Sequence, residues 1–167
     1  VDAEAMKDGV ARPADGATKT PLEVVSCGVG FPEHEVRVVD EQGQPLPERR
    51  VGQVIARGPS VTEGYFENAE ATAEALKDGW LQTGDLGYLA DGNLYICGRL
   101  KDLIIIRGAN HYPQDLEWES STVAGVRKGN VIAFGTMKPN HDRERVVIAF
   151  ETSIPAGPER ERLRGEV

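Results

Sequence analysis

The residues with the most chemistry to offer lie between Gly79 and Asp102, in the stretch GWLQTGDLGYLADGNLYICGRLKD. Thr83-Gly84-Asp85 sets a carboxylate at the end of a β-rich run, and Gly84 and Gly87 permit a sharp bend and a close ligand approach. An ionised carboxylate only accepts hydrogen bonds, so Asp85 can receive two from a vicinal diol of the kind a ribose offers. An Asp in such a place is also an ordinary turn residue. Arg99 stands at the far end of a hairpin, where strand pairing brings it within reach of Asp85. Its planar fork suits phosphate or carboxylate oxygens, and it would serve equally in a salt bridge that only staples the hairpin. Lys101 and Asp102 follow; taken alone, they read as an exposed charged loop.

A scaffold must hold these groups in place. Residues 35–40 and 51–57 are β-branched and partly alternating, which predicts two strands, with turn chemistry at Glu41-Gln42-Gly43-Gln44. Residues 68–77 predict a helix capped by Asn68 and ended by Gly79. Trp80-Leu81-Gln82-Thr83 and Leu94-Tyr95-Ile96-Cys97 flank a hairpin turning at Asp91-Gly92. Beyond Gly98 the pattern resets: a strand over 103–107, a helix over 113–122 with Pro113 in its first turn, and strands over 131–135 and 146–151. A charged segment, 138–145, separates the last two strands. Strand, helix, strand, strand predicts a small α+β unit, with a domain boundary near 99–102. Residues 1–21 lack apolar periodicity and predict a loop or linker.

Composition narrows the function classes. With 27 acidic against 19 basic side chains the formal charge is −8, and no Lys/Arg cluster is dense enough to neutralise phosphates, which argues against nucleic acid as partner. The two cysteines, Cys27 and Cys97, have neither CxxC nor metal-ligand spacing, which suits a reducing cytoplasm and predicts no metal site. The longest apolar run, Leu103-Ile104-Ile105-Ile106, is too short to span a bilayer. Neither end reads as a natural terminus: the chain starts at Val1 and stops within the charged run 159–166, which predicts a piece of something larger.

The order of these motifs carries a resemblance. TGD at 83–85, then a glycine-containing hairpin, then Gly98-Arg99-Leu100-Lys101-Asp102 is similar to the shared pattern of the adenylate-forming superfamily: acyl-CoA synthetases, luciferases and peptide-synthetase adenylation domains. Within it, Leu103-Ile104-Ile105-Ile106-Arg107-Gly108 with Asn110-His111-Tyr112-Pro113-Gln114-Asp115-Leu116-Glu117 resembles the fatty acyl-AMP ligases, as do Val25-Ser26-Cys27-Gly28 and His34-Glu35-Val36-Arg37. The resemblance spans residues 22–151. It departs at Val29-Gly30, where the family commonly has Arg-Pro, at Glu33, and over 118–129, which match poorly.

The resemblance implies an α+β fold: residues 22–98 as the β-rich C-terminal part of a large adenylation domain, and 99–167 as the start of a small one. It implies that Asp85 binds the ribose hydroxyls of ATP or AMP, that Arg99 contacts ribose or phosphate oxygens, that Ile96 packs on the nucleoside, and that Lys101 is the hinge. It implies ATP with Mg2+ as substrate complex, the Mg2+ ligands lying elsewhere, a fatty acid, and an acyl carrier protein or polyketide synthase carrier domain as acceptor. The expected function is activation of a fatty acid to acyl-AMP with transfer to a phosphopantetheine thiol. A conventional fatty acyl-CoA synthetase and a catalytically inactive carrier-docking fragment are the alternatives. The family's phosphate loop, its aromatic-Gly segment and its C-terminal catalytic lysine have no counterpart here, so no catalytic residue is expected in these 167 residues and the piece alone is expected to be inactive.

Overall fold

A computed structural model describes residues 1–137 and 144–167 as two compact units, 1–101 and 102–167. Mixed α+β structure is present throughout, as the sequence leads one to expect.

In the first unit, α1 (Ala3–Lys7) precedes strands β1 (Ser26–Gly28), β2 (Glu35–Val39) and β3 (Gly52–Arg57). Helix α2 (Ala69–Ala75) then leads to β4 (Leu76–Lys77), β5 (Trp80–Ala90) and β6 (Asn93–Arg99). The strands form one antiparallel sheet in the order β1-β6-β5-β3-β2, with β4 also pairing β5. Adjacent residues Val38 and Val39, Val54 and Ile55 are all buried, so the sheet centre is covered on both faces, which is why the alternation of these β-branched strands is only partial. Tyr88 and Tyr95, directly opposite one another, stack with centroids 4.9 Å apart.

Two-residue turns shape the sheet. Asp91 and Gly92 have φ of 51° and 74°, the left-handed pair that matches the twist of a hairpin. Asp78 and Gly79 repeat it, with φ of 50° and 79°, between Lys77 and its partner Trp80. This corrects the expected helix: it starts as anticipated, with the Asn68 side chain accepting from the Ala71 N–H, but ends at Ala75. Gly79, which reads in sequence as a helix stop, is half of a hairpin turn, and Leu76-Lys77 are drawn into the sheet as a strand.

Residues 1–21 also depart from the expected loop. Asp2 caps α1 by accepting from the Glu4 N–H and holds the Arg12 guanidinium. Gly9 to Ala11 pair with Arg49 to Val51, and Met6 and Ala11 are buried. Caps and backbone pairing, which leave little apolar periodicity, order this segment.

At the start of β5, the Arg37 and Arg57 guanidiniums lie 4.6 and 4.5 Å from the Trp80 ring centroid. Both also bond Glu35, across from Arg57 in the register. Burial pushes the Glu35 carboxyl up, but the Arg57 and Arg37 hydrogen bonds outweigh it and hold the carboxyl below its ordinary range.

The second unit opens with the hairpin β7 (Ile104–Ile106) and β8 (Ala109–His111), turning at Arg107-Gly108. Helix α3 (Pro113–Ser121) follows, then the paired strands β9 (Val131–Met137) and β10 (Glu144–Phe150) and helix α4 (Pro158–Glu166). The Glu117 carboxylate accepts from the Ala133 N–H, tying α3 to β9. Ile104, Tyr112, Ala133 and Leu163 are buried in this unit. Of the charged segment expected over 138–145, residues 138–143 lie outside the described residues.

Gly87 sits where β3, β5 and β6 converge. A Cβ there would stand 2.5 Å from the Tyr95 carbonyl oxygen and 3.0 Å from Val54 Cγ2. Gly87→Ala in the full-length protein is therefore expected to lower unfolding free energy by about 1–3 kcal/mol. Gly16→Ala, where the new methyl meets nothing within 4 Å, should stay within about 0.5 kcal/mol. Denaturant titration of both variants checks the contrast.

Candidate functional site

The expected site residues lie on β5 and β6, and two irregularities in the ladder bring them together. Between the pairs Gln53–Leu86 and Ile55–Gln82, β3 has one residue, Val54, where β5 has three: Thr83, Gly84 and Asp85. The surplus must bulge out of the ladder, and Gly84, with φ of 76°, is the residue that lets it turn. Thr83 supplies bonds that the ladder gives up there. Its hydroxyl donates to the Val54 carbonyl at 2.8 Å and accepts the Asp85 N–H at 3.0 Å.

The second irregularity is on β6. Asp85 pairs with Arg99 and Leu86 with Gly98, but Gly87 pairs with Ile96, which leaves Cys97 as the extra residue. In a regular strand, residues 96 and 99 would face opposite ways. The extra residue returns Ile96 to the face shared by Asp85, Gly87 and Arg99. Ile96 Cδ1 would lie 3.3 Å from a Cβ on Gly87, which agrees with that placement.

Arg99 Nε approaches Asp85 Oδ1 at 3.2 Å, and Arg99 Nη2 donates to the Thr83 carbonyl at 3.1 Å. The guanidinium thus spans both ends of the bulge. The Asp85 side chain is about one-third exposed (34%) and that of Arg99 about half (49%), so an incoming ligand can reach both. The arrangement presents a carboxylate acceptor and a cationic fork side by side, at the edge of an apolar floor formed by Gly87 and Ile96. It can bind a neighbouring pair of hydroxyls and a nearby anionic oxygen. It offers no nucleophile with an attendant base.

Lys101 is exposed, in the 3-10 turn Leu100–Asp102, and the two units divide between Lys101 and Asp102. Among the described residues there is no group of three or more His, Cys, Asp or Glu side chains that could hold a metal ion. No helix among them is long and apolar enough to cross a membrane. Sequence reading overlooked the Thr83 hydroxyl. Its signal was a hydroxyl two residues before the carboxylate with glycine between, the spacing of a side-chain-to-backbone turn.

Comparison with known proteins gives this geometry a context. Residues 10–66 match the model of the AMP-binding enzyme family. A Caulobacter vibrioides protein named for acyl-CoA synthetase activity is 41% identical over 163 residues, 96% of this chain and 28% of the relative. A solved structure from work on the fatty acyl-adenylate ligases of E. coli and L. pneumophila is 38% identical with a TM-score of 0.87, covering 99% of this chain and 30% of that one. The McyG A-PCP structure, complexed with phenylalanyl-adenylate, is 35% identical with a TM-score of 0.78 over 85% of this chain and 22% of that one. The chain thus spans less than a third of the length of each of these proteins.

The exposure of the Asp85–Arg99 pair makes it a weak staple. Asp85→Asn is expected to change unfolding free energy in denaturant titration by no more than about 1 kcal/mol. A loss well above that would make the pair a structural clasp of the hairpin.

Proposed function

This chain belongs to the AMP-binding family of adenylate-forming enzymes, and on that footing we propose that the whole protein activates a fatty acid with ATP, forming acyl-AMP and pyrophosphate. The observation that carries the reading is the likeness to the fatty acyl-adenylate ligase structure along nearly the entire chain, at 38% identity. In this reading the acyl carboxylate attacks the α-phosphate of ATP and pyrophosphate leaves, with positioning and charge neutralisation supplying most of the rate. Asp85 receives the two ribose hydroxyls, Arg99 steadies Asp85 and offers its remaining donor directions to ribose or phosphate oxygens, and Ile96 lies under the nucleoside. ATP enters as its Mg2+ complex, which offsets phosphate charge. The acyl group then passes to a carrier-protein phosphopantetheine thiol, a reading supported by the adenylation and carrier domains joined in McyG A-PCP.

A second reading, transfer to coenzyme A, is favoured by the acyl-CoA synthetase name of the Caulobacter relative. The test for both is ATP–pyrophosphate exchange by the full-length protein with fatty acids, followed by competition between a phosphopantetheinylated carrier and coenzyme A for the acyl group. Fatty-acid-dependent exchange and carrier preference are expected. Asp85→Ala should cut exchange by about two orders of magnitude, because a site built to bond hydroxyls loses its acceptor. A change below about fivefold would return Asp85 to the role of a turn residue, exchange with other acids alone would overturn the substrate class, and preference for coenzyme A would establish the second reading.

Lys101 is the proposed pivot between the two half-reactions, since hinges absorb backbone rotation at the ends of elements. Lys101→Pro fixes φ near −65° and should trap one arrangement. Adenylate formation is expected to persist in the full-length protein while transfer to a carrier thiol falls at least about tenfold, read in single-turnover assays of each step. Equal loss in both steps would mean a damaged fold, and unchanged transfer would put the pivot elsewhere.

A further inference from the structure

The β5 bulge raises a question that strand pairing alone does not answer: what fixes the direction of the Asp85 carboxylate. Gly84 precedes it with φ of 76°, and glycine restrains its own backbone less than any other residue. Arg99 bonds the carboxylate from a side chain about half exposed, and a surface ion pair of that kind is a weak restraint. Thr83 bonds backbone on both strands, across the bulge and within it. Its hydroxyl hydrogen goes to the Val54 carbonyl on β3, and its oxygen receives the N–H of Asp85 itself. A carbonyl can only accept and an N–H can only donate, so the orientation of the hydroxyl is determined without ambiguity.

We infer that Thr83 is a positioning residue for nucleotide recognition, anchoring the Asp85 backbone to β3 so that its carboxylate meets both ribose hydroxyls together. This rests on the reading of Asp85 as the ribose acceptor. Thr83 itself touches no substrate; it acts through Asp85. Two hydrogen bonds to one carboxylate demand tighter placement than one, so loosening the bulge erodes discrimination between a nucleotide that has the diol and one that lacks it. Binding through the base and phosphates is left largely as it was. A residue important only for stability would weaken both nucleotides alike.

The experiment measures dissociation constants of ATP and 2′,3′-dideoxy-ATP by calorimetry, with the full-length protein and its Thr83→Val, Thr83→Ser, Thr83→Ala and Asp85→Ala variants. The reading is the dideoxy-ATP constant divided by the ATP constant, with thermal midpoints recorded beside it. Thr83→Val keeps the shape but cannot donate to Val54 or accept from Asp85, and the ratio is expected to fall at least about fivefold. Thr83→Ser keeps the hydroxyl and should stay within about twofold of the unaltered protein. If Thr83→Val does not fold, Thr83→Ala reads the same ratio with less steric demand. An unchanged ratio in the hydroxyl-free variants, with the ratio lost in Asp85→Ala, overturns the inference and leaves the ribose reading intact. Loss of thermal stability with an unchanged ratio also overturns it, as does a Thr83→Ser variant no better than Thr83→Val. A ratio unaffected by Asp85→Ala refutes the ribose reading, and this inference falls with it.

Discussion

A buried strand that takes on extra residues must still find partners for the backbone groups it pulls out of the ladder. That constraint governs the first unit, because β5 is the strand on which the others depend. It pairs with β3 on one side, with β6 on the other and with the short β4 near its start. Its surplus at 83–85 is compatible with such a central place only because a threonine hydroxyl and an arginine fork meet the displaced carbonyls and the Asp85 N–H. Replace either with an apolar side chain and the backbone groups at the bulge lose the side-chain partners they have in the fold. The local departure from regular pairing and the presentation of the carboxylate are the same event.

The two irregularities serve one face. The β5–β6 register sets Asp85 opposite Arg99, and the extra residue at Cys97 turns Ile96 toward that face too. Gly87 lies between them with neighbours so close that no larger residue fits without movement. Acceptor, cation and apolar floor are therefore set by backbone geometry on a packed sheet. Rigid elements hold such groups more accurately than a mobile loop would.

Much of this was legible in the sequence. Asp91-Gly92 announced its turn, Asn68 its cap, and the interval from Asp85 to Arg99 their approach across a hairpin, because each depends on local chemistry that one or two residues decide. The strands Glu35–Val39 and Gly52–Arg57 were equally plain from their β-branched runs. Asp78-Gly79 misled, since glycine after a helix and glycine in a hairpin look alike until the pairing of Lys77 with Trp80 is known. The N-terminal helix was hidden because it is five residues long and is held by a cap and by pairing with Arg49 to Val51, neither of which leaves a periodic signature. The bulges could not be read at all: they are properties of register between strands, and register belongs to two segments at once.

The order of strands in the sheet has a consequence for how the chain assembles. The β4–β5 and β5–β6 hairpins close through two-residue turns, so their pairing requires little loss of chain freedom and can form early. Strand β1 pairs across the longest interval of chain in the sheet. Ser26 pairs with Tyr95 and Gly28 with Leu94, across most of the unit's length and over only three residues. So short a strand, recruited from so far along the chain, gains little until β6 is already in place. Without β1 the outer edge of β6, the strand that carries Ile96 and Arg99, presents unpaired backbone groups of the kind that pair with other chains.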